Sequence, residues 1–278
     1  MKIICLIRPE PAANYFVNAI HQTYGVELVI RELPKPNDLF QRMAARLGRG
    51  DLIGLAEALR YRCYHWRQRG LHQRAHQQYF GNAWQACLDE IPQIDSYDIH
   101  RPEIIQRLRS EQADLLLVHG TSILKEELLS TAKLALNLHW GLSPYYRGVR
   151  CTEWALLNWD PYNIGVSIHE LSARIDGGRI LAQSRANILE TATIYGINMQ
   201  LTYLGTELLK KAISKIKSGK QLVFHPQALN QGQLIQNRHW SRHISRQIQH
   251  IEQHGLIKEM LKRPSRKEKF PIVLTKTK

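Results

Sequence analysis

The feature that most constrains the fold of this chain is the alternation of short apolar runs with helical stretches, which starts at the first residues. Residues 2–7 (KIICLI) and 26–31 (VELVIR) are two such runs, and residues 12–22 between them have a helical composition. A strand that is apolar along nearly its whole length is typical of a parallel sheet with helices on both faces. The N-terminal region therefore predicts a β-α-β unit.

The same alternation continues to about residue 218 and gives the fold class. We predict an α/β, Rossmann-like fold, with a mostly parallel sheet and helices on both of its faces. The later strands are predicted at 113–119, 134–138, 165–171 and 180–188, and the later helices at 192–218 and 241–261.

Two regions add helices to this core. Residues 36–93 are rich in Arg, His, Gln and Ala and predict a helical insertion, and the C-terminal region is helical and ends in a basic tail. We predict a catalytic domain over 1–200 that contains the insertion, followed by a helical, basic C-terminal extension over 201–278.

Composition indicates the cellular compartment of the protein and the kind of partner that it binds. The 278 residues contain no apolar stretch of the ~20 residues that a membrane span requires, and the four cysteines are scattered without paired spacing. We therefore expect a cytoplasmic protein with reduced thiols and no membrane partner. The formal net charge of +14 favours a phosphate-bearing partner, whether a nucleotide-linked metabolite or a nucleic acid.

Chemically reactive residues follow two of the predicted strands. Asn137 and His139 are two apart, so their side chains share one face of a strand while Leu138 points into the core. An amide that can hold an oxyanion and an imidazole that titrates near neutral pH suit carbonyl chemistry. Asp176 precedes two glycines, which predicts an exposed turn that a ligand can approach closely.

These residues lie in an ordered set of motifs, NLHWGLSPYYRG, TEWAL, GVSIHEL and IDGGRIL, within residues 113–185. The set resembles the core of the folate-dependent formyltransferases, a family that includes methionyl-tRNA, glycinamide ribonucleotide and nucleotide-sugar N-formyltransferases. The resemblance implies an enzyme that uses 10-formyltetrahydrofolate as its formyl donor. It places the catalytic residues at Asn137, His139 and Asp176. It places the pterin-binding loops at Ser122, Ile123, Leu124, Ser172, Ala173 and Ile175.

The resemblance also implies a mechanism in which an amine attacks the formyl carbon. Asn137 is expected to hold the formyl oxygen, a charged His139 to stabilise the oxyanion and assist proton transfer, and Asp176 to keep that imidazole charged or to relay a proton. We predict no metal site. His169 is expected to pack beside the sheet without a part in the chemistry.

Departures from the family pattern leave the acceptor open. Residues 8–12 (RPEPA) contain no glycine for a close phosphate loop, and no β-rich C-terminal domain of the methionyl-tRNA type follows the core. The favoured acceptor is a small amine that carries phosphate, namely a nucleotide-linked amino sugar or a similar anionic metabolite. Aminoacyl-tRNA, hydrolysis of the formyl donor and a non-enzymatic nucleic-acid-binding role are the alternatives. The oligomeric state is not predicted.

Overall fold

The computed structural model describes residues 1–34, 47–48 and 50–263 and contains a central sheet of seven strands. Their order across the sheet is β3-β2-β1-β4-β5-β7-β8; the first five are parallel, β7 is antiparallel to β5, and β8 is antiparallel to β7. β6 and β9 form a second, parallel pair. The strands are β1 Ile3–Ile7, β2 Leu28–Glu32, β3 Gln93–Ser96, β4 Ala113–His119, β5 Ala132–His139, β6 Tyr146–Gly148, β7 Gly165–Glu170, β8 Ile180–Arg185 and β9 Gln233–Ile235.

Helices cover the sheet and extend beyond it. They are α1 Pro11–Tyr24, α2 Leu52–Arg67, α3 Arg69–Phe80, α4 Pro102–Glu111, α5 Glu126–Leu129, α6 Cys151–Leu157, α7 Ile194–Lys217, α8 Arg242–Gln253 and α9 Leu256–Leu261. None of the helices within the described residues is long and apolar enough to cross a membrane.

The predicted fold class is confirmed, and β1 shows its physical basis. Ile3, Cys5 and Ile7 enter the core cluster on one face of the sheet, whereas Ile4 and Leu6 enter the cluster on the other face. Because both faces are covered, every residue of this strand is buried and the strand has no polar side. The continuous apolar run is thus the consequence of a central position between β2 and β4.

Helix α7 joins the core to the C-terminal region without a break. Its N-cap residue Thr193 accepts a hydrogen bond from the Gly196 amide at 3.0 Å, and the helix then runs on to Lys217. At Gly205 the helix lies so close to the sheet that a Cβ atom would contact Leu138 and Val166. A domain boundary at residue 200 would therefore divide one continuous helix, and the division into 1–200 and 201–278 stays a prediction.

Several elements differ from the sequence prediction. Strand β3 and helix α4 were not predicted, and the helix predicted over 241–261 is two helices, because Gly255 adopts φ +62° between α8 and α9. The C-terminal extension is not purely helical, since β9 pairs in parallel with β6. Part of the predicted insertion and the basic tail beyond residue 263 lie outside the described residues.

Side-chain hydrogen bonds attach the insertion to the rest of the molecule. The buried Asn18 amide on α1 donates to the carbonyls of Ala83 and Ala86, and its oxygen accepts from the Leu88 amide. On the other side, Tyr64 on α2 donates to Glu252 on α8 at 2.7 Å. The insertion and the C-terminal extension are therefore in contact with each other.

Candidate active site

A cleft of about 700 Å³ opens where β1, β4 and β5 end, beside the loop that follows β7. The carboxyl ends of parallel strands are where ligands bind in open α/β sheets. All three predicted catalytic residues line this cleft, together with residues of both predicted pterin loops. The structure thus gathers residues that are as far apart in the chain as Ser122 and Asp176.

Strand β5 positions Asn137 and His139. The two residues lie on the same side of the strand, as predicted, while Leu138 between them is buried in the core against α7. The antiparallel neighbour β7 places His169 directly opposite Asn137. The Nδ2 atom of Asn137 lies 3.2 Å from Nε2 of His169, so the pairing of two strands adds a second imidazole to the site.

The loop after β7 brings Asp176 back onto these strands. Asp176 adopts φ +45°, a left-handed conformation that Asp tolerates better than most residues. Its carboxylate lies 3.5 Å from Nδ1 of His139 and 3.4 Å from Nε2 of His169. It also accepts hydrogen bonds from Asn137 Nδ2 at 3.3 Å and from the Gly148 amide at 2.8 Å. With a side chain only 14% exposed, Asp176 is not the exposed turn residue that the sequence suggested.

The environment of Asp176 favours its ionised form. Burial alone would raise the pKa of this carboxyl, but the neighbouring imidazoles of His139 and His169 and the Gly148 amide outweigh burial and hold the pKa well below its ordinary value. The site therefore contains a fixed negative charge at neutral pH.

His139 differs from the expectation of a permanently charged imidazole. The residue is 7% exposed, and burial lowers its pKa although the Asp176 charge acts in the opposite direction. The resting side chain is therefore neutral near pH 7. Its Nε2 lies 3.3 Å from the Tyr146 carbonyl oxygen, so both ring nitrogens have an oxygen nearby that would stabilise an added proton.

His169, which was expected to pack beside the sheet, is buried and also lies in contact with two of the predicted catalytic residues, Asn137 and Asp176. It is 1% exposed, and its Nδ1 donates to the carbonyl of Glu170 at 2.7 Å, which leaves Nε2 to face Asn137 and Asp176. The alternation of residues 165–171 had placed His169 on the face opposite Val166 and Ile168. What the sequence could not supply was the identity of the neighbouring strand, which carries Asn137.

The amide of Asn137 has both of its hydrogens engaged within this cluster, by His169 Nε2 and Asp176 Oδ1. Both contacts are longer than 3 Å and are correspondingly weak. A ligand oxygen that accepts from Asn137 must therefore replace one of these two partners. This exchange costs little free energy, because a shorter and stronger hydrogen bond replaces a long, weak one.

The predicted pterin loops flank the cleft. Ser122, Ile123 and Leu124 line it after β4, and Ile123 is 65% exposed. Ser172 and Ile175 line the opposite side, whereas Ala173 is exposed and is not among the lining residues. The Ser122 amide already donates to Glu32 at 2.6 Å, so this backbone group is committed within the protein.

His119 at the end of β4 is a further polar group in the cleft wall that the sequence did not single out. It is 3% exposed, and its Nδ1 lies 3.0 Å from the Leu138 carbonyl oxygen, to which it donates. Among the described residues its buried Nε2 has no hydrogen-bond partner, and the Glu10 carboxylate lies 3.9 Å from it. Burial lowers the pKa of His119, so this nitrogen is an open hydrogen-bond acceptor for a donor on a ligand.

The cleft suits an organic ligand. Its volume falls within the range of about 300–1,000 Å³ that is usual for small-molecule sites, and apolar residues such as Leu124 and Ile175 alternate with the polar groups of Asn137 and His119. Within the described residues, no cluster of three or more His, Cys, Asp or Glu side chains is arranged to hold a metal ion.

The chain is similar in sequence to known proteins. A sequence profile of the family described as formyl transferase matches residues 69–213, just over half of the chain. The methionyl-tRNA formyltransferase of Azobacteroides pseudotrichonymphae is 33% identical over 135 residues, which cover 48% of this chain and 41% of that protein. The one from Rhodopirellula baltica is 35% identical over 130 residues, covering 46% and 38%. The chain thus matches less than half the length of these relatives.

Solved structures share the fold at low sequence identity. A sugar N-formyltransferase from a Shewanella species has a TM-score of 0.52 at 16% identity, covering 86% of this chain and 78% of that one. Glycinamide ribonucleotide transformylase 1 from Symbiobacterium toebii has a TM-score of 0.53 at 16% identity, covering 82% and 94%. At this level of identity the likeness concerns the fold alone.

Proposed function

Because the chain belongs to the formyl transferase family, we propose that it transfers a formyl group from 10-formyltetrahydrofolate to an amine. The observation that carries this proposal is the cluster of Asn137, His139 and Asp176 at the cleft, with an ionised carboxylate beside a neutral imidazole. A hydrogen-bond donor, a proton acceptor and a fixed charge at one point are what acyl transfer to an amine requires.

The roles of these residues follow from their environments. Asn137 donates to the formyl oxygen as that oxygen gains charge, by releasing one of its two weak internal partners. His139 takes the proton that the attacking amine loses and returns it to the nitrogen that leaves the formyl carbon. Asp176 stabilises the imidazolium during the interval, because its carboxylate lies 3.5 Å from Nδ1. One C–N bond forms, one breaks, and the proton is conserved.

The folate carrier supplies a formyl group activated on a ring nitrogen. Ser122 to Leu124 and Ser172 to Asp176 are the segments proposed to hold its pterin ring, since they form the two sides of the cleft. The unpartnered Nε2 of His119 fits a group that carries hydrogen-bond donors.

For the acceptor we propose a small amine that carries phosphate, such as a nucleotide-linked amino sugar. The net charge of +14 attracts anionic metabolites. Arg8, Arg150 and Arg174 line the cleft and could pair with phosphate oxygens. The turn between β1 and α1 is Arg8-Pro9-Glu10 and lacks glycine, which argues against a ribonucleotide phosphate held by a glycine loop.

Aminoacyl-tRNA is the second candidate. It is favoured by the identity above 30% to proteins named methionyl-tRNA formyltransferase. Hydrolysis of the formyl donor and binding of nucleic acid without catalysis remain alternatives from the sequence. The complete polar cluster argues against a purely binding role, because enclosing His139 and most of the Asp176 carboxylate costs free energy that binding elsewhere does not require.

The test is release of tetrahydrofolate from 10-formyltetrahydrofolate in the presence of a panel of amines. The panel contains UDP- and dTDP-linked amino sugars, glycinamide ribonucleotide and methionyl-tRNA, with Asp176→Asn as the inactive control. Release that depends on one amine and disappears in the control is the expected result. Release without any amine would indicate hydrolysis, and no release with any acceptor would contradict the proposal.

A salt series separates the two acceptor classes. A protein that contacts about six phosphates of tRNA loses affinity by up to ~10³-fold between 50 and 200 mM salt. An acceptor with two phosphates should lose far less, by ~10-fold or below. We expect the shallow dependence; tight, steeply salt-dependent retention of tRNA would favour the second candidate.

A further inference from the structure

A second, smaller cavity lies beside the cleft and has no role in the chemistry described so far. Its volume is about 150 Å³. Its walls come from the insertion, from α6, from the first turns of α7 and from the C-terminal extension, which contribute Gln68, Glu153, Tyr195 and Trp240 among others. The predicted insertion and the C-terminal extension thus line one chamber together.

The chamber adjoins the cleft. Arg150, Glu153 and Asn198 line both cavities. The next residue after Arg150 is Cys151, whose Sγ lies 3.6 Å from Nε2 of His139. The chamber and the cleft therefore meet along the side chains of Arg150, Glu153 and Asn198.

The walls combine aromatic rings with polar edges. The guanidinium of Arg150 lies 4.2 Å from the centre of the Trp240 ring, and the ring of His72 is stacked on Tyr195 at 3.8 Å. Asn198 accepts from the Thr152 hydroxyl at 2.7 Å, which orients its amide. These contacts hold the walls in place before any ligand arrives, which reduces the entropy lost on binding.

The charge of the chamber excludes phosphate from its interior. Two carboxylates, Glu153 and Glu252, line it with one guanidinium, that of Arg150. Glu252 is committed, since it accepts from Tyr64 and from the Ile194 amide. Glu153 is 14% exposed and has a single long ion pair with Arg150 at 3.5 Å. It is therefore a site for hydroxyl or amine donors.

The size of the chamber matches one ring. A protein cavity of about 150 Å³ accommodates a six-membered ring. A nucleotide is too large, and a flexible apolar side chain would leave the polar edges of Glu153 and Asn198 unpaired, at about 1–3 kcal/mol for each buried group.

Building on the proposed function, we propose that this chamber holds the pyranose ring of an amino sugar acceptor. The ring packs against Tyr195 and Trp240, its hydroxyl groups bind Glu153 and Asn198, and its amine points past the shared wall into the cleft. The phosphates of the nucleotide stay outside the chamber. The insertion and the extension thereby determine which amine is formylated.

The experiment compares Michaelis constants for the acceptor and for the donor in matched variants. Trp240→Ala and Glu153→Gln remove contacts in the chamber, and Trp66→Ala and Glu190→Gln change exposed residues of the same types. With a UDP- or dTDP-linked amino sugar we expect the chamber variants to raise the acceptor KM at least tenfold. The KM for 10-formyltetrahydrofolate should stay within twofold, as should both constants in the controls.

A variant that fills the chamber with a larger side chain controls for loss of structure in the other two variants. Ser245 lines the chamber from α8, and Ser245→Leu should exclude the ring while leaving the cleft and the melting temperature unchanged. An acceptor KM that stays constant in all three chamber variants, while the wild type formylates the sugar, overturns this assignment and leaves the proposed function intact. Formylation of methionyl-tRNA but of no amino sugar does the same. Failure with every amine overturns both.

Discussion

At the scale of single residues, the carboxylate of Asp176 is the centre of the site. It contacts two imidazoles, one amide side chain and one backbone amide, all within 3.5 Å. Because burial keeps His139 neutral at rest, the role we propose for the carboxylate is to stabilise the positive charge that the imidazole gains when it accepts a proton. A permanently charged imidazole would have no capacity to accept the proton of the amine.

His139→Gln tests this assignment. Glutamine retains a polar group of similar size but cannot carry a proton, so we expect formyl transfer to fall by about 10²–10⁴-fold. The measurement is the initial rate of tetrahydrofolate release, and His243→Gln on the exposed face of α8 is the control. A His139→Gln rate within threefold of wild type would remove His139 from the mechanism.

Gly148→Ala tests the support of Asp176. Gly148 has φ +94°, and a Cβ there would overlap the backbone carbonyl of Ile235, whereas Gly25 has φ +78° with open space around it. Because φ is positive at both positions, both substitutions incur backbone strain of about 1–3 kcal/mol. Only Gly148→Ala should cost more than that and also lower the turnover rate, because its amide must move away from Asp176. Denaturant unfolding and turnover measure the two effects, and equal losses in both variants would contradict the account.

The residues of the site were predictable to different degrees. Asn137, His139 and Asp176 were found because they belong to recognisable motifs, and the structure brings them together. The contacts of His169 with Asn137 and Asp176, and the place of His119 in the cleft wall, were not predicted. They depend on which strands are neighbours, a long-range property that spacing along the chain does not contain. The buried state of Asp176 was also missed, because a turn with two glycines is usually exposed.

At the scale of elements, the insertion is attached at both ends by polar contacts. The buried Asn18 side chain makes three hydrogen bonds to the segment that returns from α3 to the sheet. On the other side the exposed Arg242 pairs with Asp51 at 2.7 Å. The second contact is an exposed ion pair, and such pairs typically contribute less than about 1 kcal/mol to the free energy of unfolding.

Asn18→Ala should therefore destabilise the protein. The change leaves the carbonyls of Ala83 and Ala86 and the Leu88 amide without their partner, and we expect a loss of about 2–4 kcal/mol. Chemical denaturation measures the loss, and Gln22→Ala on the exposed side of the same helix is the control. A difference below about 0.5 kcal/mol between the two variants would show that water replaces Asn18 without cost.

Strands that are buried on both faces of the sheet, and long helices, were predicted correctly from the sequence. β1 and β4 were predicted because every residue of each is apolar or nearly so, and α7 because its apolar residues repeat over many turns. β3 and β9 were missed because they are short and lie at sheet edges, where half of the residues face solvent. Their existence depends on partners far away in the chain.

At the scale of the whole molecule, buried histidines connect stability to pH. Burial lowers the pKa of both His119 and His139 in the folded protein. Below about pH 6.5 the unfolded chain takes up protons at these positions that the folded protein does not accept. Their stabilising contribution is therefore complete above that pH and is lost as the pH falls toward the folded pKa values.

We expect the free energy of unfolding to fall between pH 7 and pH 5, by up to about 1.4 kcal/mol per pH unit for each histidine. His119→Gln should have a shallower slope than the wild type, and His254→Gln, which changes an exposed histidine, should not. Urea unfolding at several pH values measures the slopes. Parallel slopes for wild type and His119→Gln would mean that this histidine titrates normally in the folded protein.

The parallel pairing of β6 with β9 has a consequence for how an active molecule comes into being. Gln227, just before β9, donates to the backbone carbonyl of Asp176 at 2.9 Å, and the carbonyl of Ile235 contacts Gly148 closely. A ribosome releases residues 137–176 well before these later residues emerge. We expect a nascent chain to possess the catalytic side chains but not the geometry that makes them reactive. Activity would then begin only when the segment around residue 235 has been synthesised and has docked.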